Sequence, residues 1–197
     1  MAQNSLLYTR LCRRIKRLEN CYLPKKVNPL GCYTTKEEDN IRAYSLLTHA
    51  ELEYYFETIS VKKVDDALKK WRANKKYNSP ILLSLCCFIE HTANVKNATT
   101  LESKVRQIIG VYRDTIRKNN GIKEDNIRSI LIPIGIVDAD MNRTWLNTLN
   151  SFGSTRGEIA HTCASVQTLP NPKDIKDKIN NIIVELKDLD LIINALK

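Results

Sequence analysis

The sequence predicts an all-α protein, a helical bundle that carries an additional basic helix at its N-terminus. Apolar residues recur at three- and four-residue intervals through most of the chain. The few glycines and prolines, six of each, lie mostly between those periodic segments, and no two-residue hairpin signal interrupts them. With 197 residues, 43% of them hydrophobic and 27% charged, the chain suits one ordinary domain with decoration and can bury a core. The expected division is a basic helical extension over 1–36 and a main helical domain over 37–197.

Each element follows from its own residues. Leu7, Leu11, Ile15 and Leu18 line one face of a first helix behind an Asn4/Ser5 start, with arginines on the other face and Pro24, Pro29 and Gly31 beyond its end. A long helix from about Lys36 to Ile59 carries Ile41, Tyr44, Leu47, Leu52, Tyr55 and Ile59 on a broad stripe, and a separate run covers Val61 to Trp71. Asn78-Ser79-Pro80 opens an apolar helix through Glu90, because proline suits the first helical position. Leu101 to Lys118 is a further helix, closed by Asn119-Asn120-Gly121. Asp125 to Ile132 is a short helix before Pro133 and Gly135, Asp140 opens another through Leu149, and a last one runs from Lys173 to Leu196.

Several function classes are excluded early. The longest apolar stretch, Ile81 to Ile89 broken by Ser84, falls well short of the ~20 residues that span a bilayer. Leu6-Leu7 is followed by Arg10, Arg13 and Arg14 where a secretory segment would continue apolar. A cytoplasmic location is therefore expected. The six cysteines show no Cys-x-x-Cys spacing, and no set of His, Cys, Asp and Glu has recognisable metal-ligand spacing, so neither a metal nor another cofactor is expected. Cys86 and Cys87 are read as small core residues. The net charge of +9 points to a polyanionic partner. Much of it is local: up to residue 36, Arg10, Arg13, Arg14, Lys16, Arg17, Lys25, Lys26 and Lys36 face Glu19 alone. Arg13, Arg14 and Arg17 are the expected RNA contacts, with Tyr8 and Tyr22 beside them to stack on bases. A plain solvated helix face is the competing account of this cluster.

The chemistry concentrates in Phe152-Gly153-Ser154-Thr155-Arg156-Gly157-Glu158-Ile159-Ala160-His161. Gly153 reads as a break, and Thr155 with Glu158 three residues later has the form of a capping box, which would make Arg156 the first residue of a new helix. A helix N-terminus beside a guanidinium suits a phosphate. His161, five residues on, carries the side chain best suited to proton transfer near neutrality. The two lie about 140° apart around an ideal helix. Gly157 leaves the imidazole accessible, and Glu158 stands three residues before it. The bland account is a capped helix with a polar surface.

Arg-x-x-x-x-His preceded by Leu146, Leu149 and Phe152 resembles the signature of the HEPN ribonucleases. The fuller likeness is to their RiboL-PSP-HEPN branch, through Arg42-Ala-Tyr-Ser-Leu-Leu-Thr-His-Ala-Glu-Leu-Glu53, Asn120-Gly-Ile-Lys-Glu-Asp-Asn126, Leu131-Ile-Pro-Ile-Gly-Ile136 and the tail helix. Together these cover residues 38–196. The resemblance implies a HEPN-like bundle, a homodimer with both motifs facing one cleft, and metal-independent cleavage of RNA with Arg156 and His161 as catalytic residues. It also implies a toxin or antiphage-defence setting, with a cognate antitoxin or another defence-system protein as partner. Two positions depart from the pattern. Gly157 stands where active members often carry a polar residue. Cys163 stands where members controlled by tyrosine modification carry tyrosine, which argues against that control.

Glu53 matches a recurring acidic position of the long helix and lies one turn after His49, either as a structural hydrogen-bond partner or as a support for the motif helix. His91 reads as a polar helix end, and Trp71 and Trp145 as core. Two other functions compete with RNA cleavage: a non-catalytic HEPN module that binds RNA or a protein, and a helical DNA-binding protein using the basic helix. No clear recognition helix supports the second.

Overall fold

The computed structural model describes residues 3–74, 78–89, 98–161 and 168–196. Among these it is all-α: α1 (Leu6–Tyr22), α2 (Thr35–Ala73), α3 (Pro80–Ile89), α4 (Leu101–Arg117), α5 (Glu124–Leu131), α6 (Arg143–His161) and α7 (Pro172–Ala195). Two short 3-10 turns, Ile132–Ile134 and Asp138–Asp140, separate α5 from α6. None of the described helices is long and apolar enough to cross a membrane. His91 and Cys163 lie outside the described residues.

Caps set most of the boundaries. Ser5 Oγ accepts from Tyr8 N at 3.0 Å to start α1. Thr34 and Glu37 form a reciprocal capping box for α2, with Thr34 N donating to Glu37 Oε2 at 2.9 Å. Asn142 Oδ1 accepts from Thr144 N at 2.8 Å, so the motif helix starts at Arg143 and Asp140 does not open it. The two runs expected at Lys36–Ile59 and Val61–Trp71 are one helix of 39 residues. Nothing between Ile59 and Val61 removes a hydrogen bond or costs the backbone its helical conformation.

α2 is the spine of the bundle. α1 and α6 each pack against both α2 and α7, which puts α1 diagonally across from α6. Leu11, Ile15 and Leu18 of α1 are buried in the same core as Leu52, Tyr55 and Phe56 of α2 and Leu146 and Leu149 of α6. The shorter α3, α4 and α5 close the other flank of α2. The fully buried Asp190 of α7 accepts from Ser5 Oγ at 2.5 Å, Ser5 N at 2.7 Å, Asn4 Nδ2 at 3.1 Å and Tyr55 Oη at 2.7 Å. A buried carboxylate needs such donors, and these draw on α1, α2 and α7 at once.

Trp71 and Trp145 are core, as expected, the latter donating to Ile182 O at 3.2 Å. Cys86 is half-buried, but Cys87 is exposed. Tyr8 and Tyr22, the candidates for stacking on bases, are half-buried. Both pack against the core, and Tyr8 Oη donates to Ile183 O at 3.0 Å.

Candidate functional site

The motif segment does not begin a helix. Residues 143–161 form one uninterrupted α6, with Gly153, Thr155 and Arg156 all inside it. Thr155 Oγ1 donates back to Ser151 O at 3.2 Å, so the capping box with Glu158 does not form. An anion at Arg156 therefore meets a guanidinium without the free N–H groups of its own helix's terminus, which lies about 20 Å away at Arg143. Gly153 is no break; it is a point of close packing. A Cβ there would lie 2.9 Å from Lys123 Cγ, with Lys123 Cε at 3.5 Å and Cδ at 3.8 Å.

α6 is held by its buried face, Trp145, Leu146, Leu149 and Phe152. Phe152 meets the ring of His49 on α2 at a centroid separation of 6.1 Å. His49 is almost completely buried, and its pKa is lowered to about 4, first by burial and then by the nearby charge of Arg156. It is therefore a neutral packing residue at pH 7. Glu53, one turn along α2, has its pKa raised by burial and by Glu57, with Arg156 acting against both. Glu53 Oε2 stands 3.9 Å from His49 Nδ1, too far for the expected hydrogen bond. Glu53 Oε1 is buried without a hydrogen-bond partner. Arg156 is thus near enough to this α2 pair for its charge to act on both members.

Arg156 and Gly157 are half-buried, while Glu158 and His161 are exposed. Nothing would stand within 4 Å of a Cβ at Gly157, so the surface between Arg156 and His161 is open. Among the described residues no group of three or more His, Cys, Asp or Glu is arranged to hold a metal.

Of the three arginines expected to contact RNA, Arg14 is engaged: its Nε donates to Glu51 Oε1 of α2 at 2.7 Å. Arg13 and Arg17 are exposed. Glu51 and Glu53 point to nearly opposite sides of α2, two residues being about 200° apart. The basic face of α1 is accordingly across the bundle from Arg156, and the fold does not bring the two together. Lys123, by contrast, was not singled out from the sequence. It lies in the Asn120–Asn126 stretch, but nothing local marks it as a neighbour of the motif.

A family model described as RiboL-PSP-HEPN matches residues 9–195. No curated protein and no solved structure matches the chain.

Proposed function

The chain belongs to the RiboL-PSP-HEPN family, and on that premise we propose that it is an endoribonuclease that cuts RNA without a metal. The observation that carries this reading is the placement of Arg156. It lies close enough to a buried histidine and carboxylate to bias both, beside an open surface that leads to the exposed His161.

In this reaction the ribose 2′-oxygen attacks the adjacent phosphorus as its proton passes to a base. The P–O5′ bond then breaks and the leaving oxygen takes a proton from an acid. The products end in 2′,3′-cyclic phosphate and 5′-OH. His161 serves as the acid or the base, and Arg156 stabilises charge on the phosphoryl oxygens. Glu53, with His49, holds α2 in the register that presents Arg156; Thr155 and Glu158 border the same turn of α6. One chain offers one imidazole, turned away from Arg156 around the helix. A homodimer that joins two motifs in one cleft supplies both acid and base. Such a protein suits a cytoplasmic toxin or antiphage effector restrained by a cognate partner. The exposed Arg13 and Arg17 guide RNA from across the bundle, and Arg14 contributes when released from Glu51.

A docking module without catalysis is the second reading, favoured by Gly157 at a position that is often polar in active members. Incubating labelled RNA and single-stranded DNA with wild type and with His161→Ala, with and without EDTA, separates the two. RNA cleavage that resists EDTA and is lost in the variant is the expected result. Uncut RNA with retained binding would favour the docking module, and loss of cleavage in EDTA, restored by a divalent metal, would refute the metal-free route.

A further inference from the structure

Lys123 sits at the N-cap of α5, on a backbone anchored to α6: Glu124 N donates to Asn150 Oδ1 at 2.8 Å. Its side chain then lies over Gly153, three residues further along α6. The stem passes so close that any larger residue at 153 would displace it. The stem thus crosses α6 at Gly153, about one helical turn before Arg156. Gly157 follows Gly153 by four residues, about 40° further around the helix, and is open. The Lys123 stem over Gly153, then Gly157 and the exposed His161, thus follow one row along α6, with Arg156 to its side.

The charge of Lys123 is not neutralised there. Its neighbour Glu124 is already held by Arg128 at 2.9 Å and Arg143 at 2.5 Å. Lys123 itself has no ion pair among the described residues. A long side chain kept over a glycine, beside a carboxylate that other cations occupy, presents its charge outward.

We propose that Lys123 is a substrate-positioning residue that binds the phosphodiester flanking the one held by Arg156, so that the strip along α6 grips two consecutive phosphates of single-stranded RNA. This rests on the reading of Arg156 and His161 as the cleavage site. It adds an ammonium, a point charge suited to phosphate, to the guanidinium. Gly153 has a matching role, since its missing side chain leaves the path that the lysine stem follows.

The test measures binding separately from cutting. On the His161→Ala background, fluorescence anisotropy with a labelled single-stranded RNA oligonucleotide is followed from low to high salt. Lys123→Ala is expected to weaken binding about tenfold at low salt, and to make the slope of log affinity against log salt shallower by about 0.7, the value of one phosphate contact on a single strand. Lys123→Arg is expected to keep both close to the parent. Gly153→Ala is expected to reproduce the loss when Lys123 is present, and to change nothing further on top of Lys123→Ala. Unchanged affinity and slope in Lys123→Ala would overturn the proposal, as would an equal loss in Lys123→Arg accompanied by a lower melting temperature, which would mark a packing role. No RNA binding by the parent would overturn it together with the cleavage reading. Failure of wild type to cut RNA, with the slope change intact, would overturn the cleavage reading alone.

Discussion

Replacing Arg156 by alanine removes a charge with two expected effects, one outward on the proposed RNA substrate and one inward on His49 and Glu53 of α2. Outward, loss of a group that stabilises developing charge on a phosphate costs about 10²–10³-fold in rate. Inward, Arg156 is the second cause that lowers the pKa of His49, after burial. Its removal should raise that pKa from about 4 while leaving it below the ordinary value near ~6.5, because burial remains. Glu53 should move up as well, since Arg156 alone among its perturbing neighbours favours the ionised form. Arg156 forms no hydrogen bond or ion pair among the described residues, so stability should change by no more than about 0.5 kcal/mol. A cleavage assay on labelled RNA, thermal melting, and an NMR titration of the His49 ring read the three effects. Rapid cleavage by Arg156→Ala would refute the site. An unmoved His49 titration would refute the placement of the Arg156 charge near His49.

His49 itself predicts a pH dependence. Its folded pKa of about 4 lies below the unfolded value, so the unfolded chain binds the proton first as pH falls. Its stability contribution is complete above pH ~6.5 and is lost toward pH ~4, up to about 3 kcal/mol. Glu53, raised, works in the opposite sense, so urea titrations of wild type and His49→Leu should be compared, and a His49→Leu variant with an unchanged acid slope would contradict this assignment. Neutralising Arg13 and Arg17 should flatten the salt dependence of RNA binding by about 0.7 per lost contact without moving the cut site; an unchanged slope would assign both to plain solvent. In mixing experiments, excess His161→Ala chains should inhibit wild type through mixed dimers, and specific activity should fall on dilution. Flat activity where sedimentation shows monomer would exclude the shared cleft.

Much of the bundle was legible because its helices announce themselves locally. Ser5, Pro80 and the apolar spacing of α1, α3, α4 and α7 state start and face within a few residues. The errors arose where a tertiary contact decides the matter. Gly153 carries the local signature of an interruption, yet it is glycine because the Lys123 stem crosses it, a partner 30 positions away in sequence. Once that contact is present, Thr155 has no helix start to cap. Tyr8 sits beside arginines in the sequence, but its hydroxyl finds Ile183. Arg14 looks as available as Arg13 until α2 brings Glu51 against it. The pair His49 and Glu53 was visible from its spacing; the effect of Arg156 on it was not, because α2 and α6 are far apart along the chain.

The four hydrogen bonds that converge on Asp190 also have a bearing on timing. Ser5 and Tyr55 are made well before their shared acceptor, which follows Tyr55 by 135 positions. Until it arrives, the cap hydroxyl of α1 and the phenol of α2 must make do with water, and the α1 and α6 faces that lean on α7 stay uncovered. Contacts so distant in sequence close slowly. A growing chain thus carries Arg156 and His161 before α7 can help to hold them in place, and the bundle closes only when α7 docks.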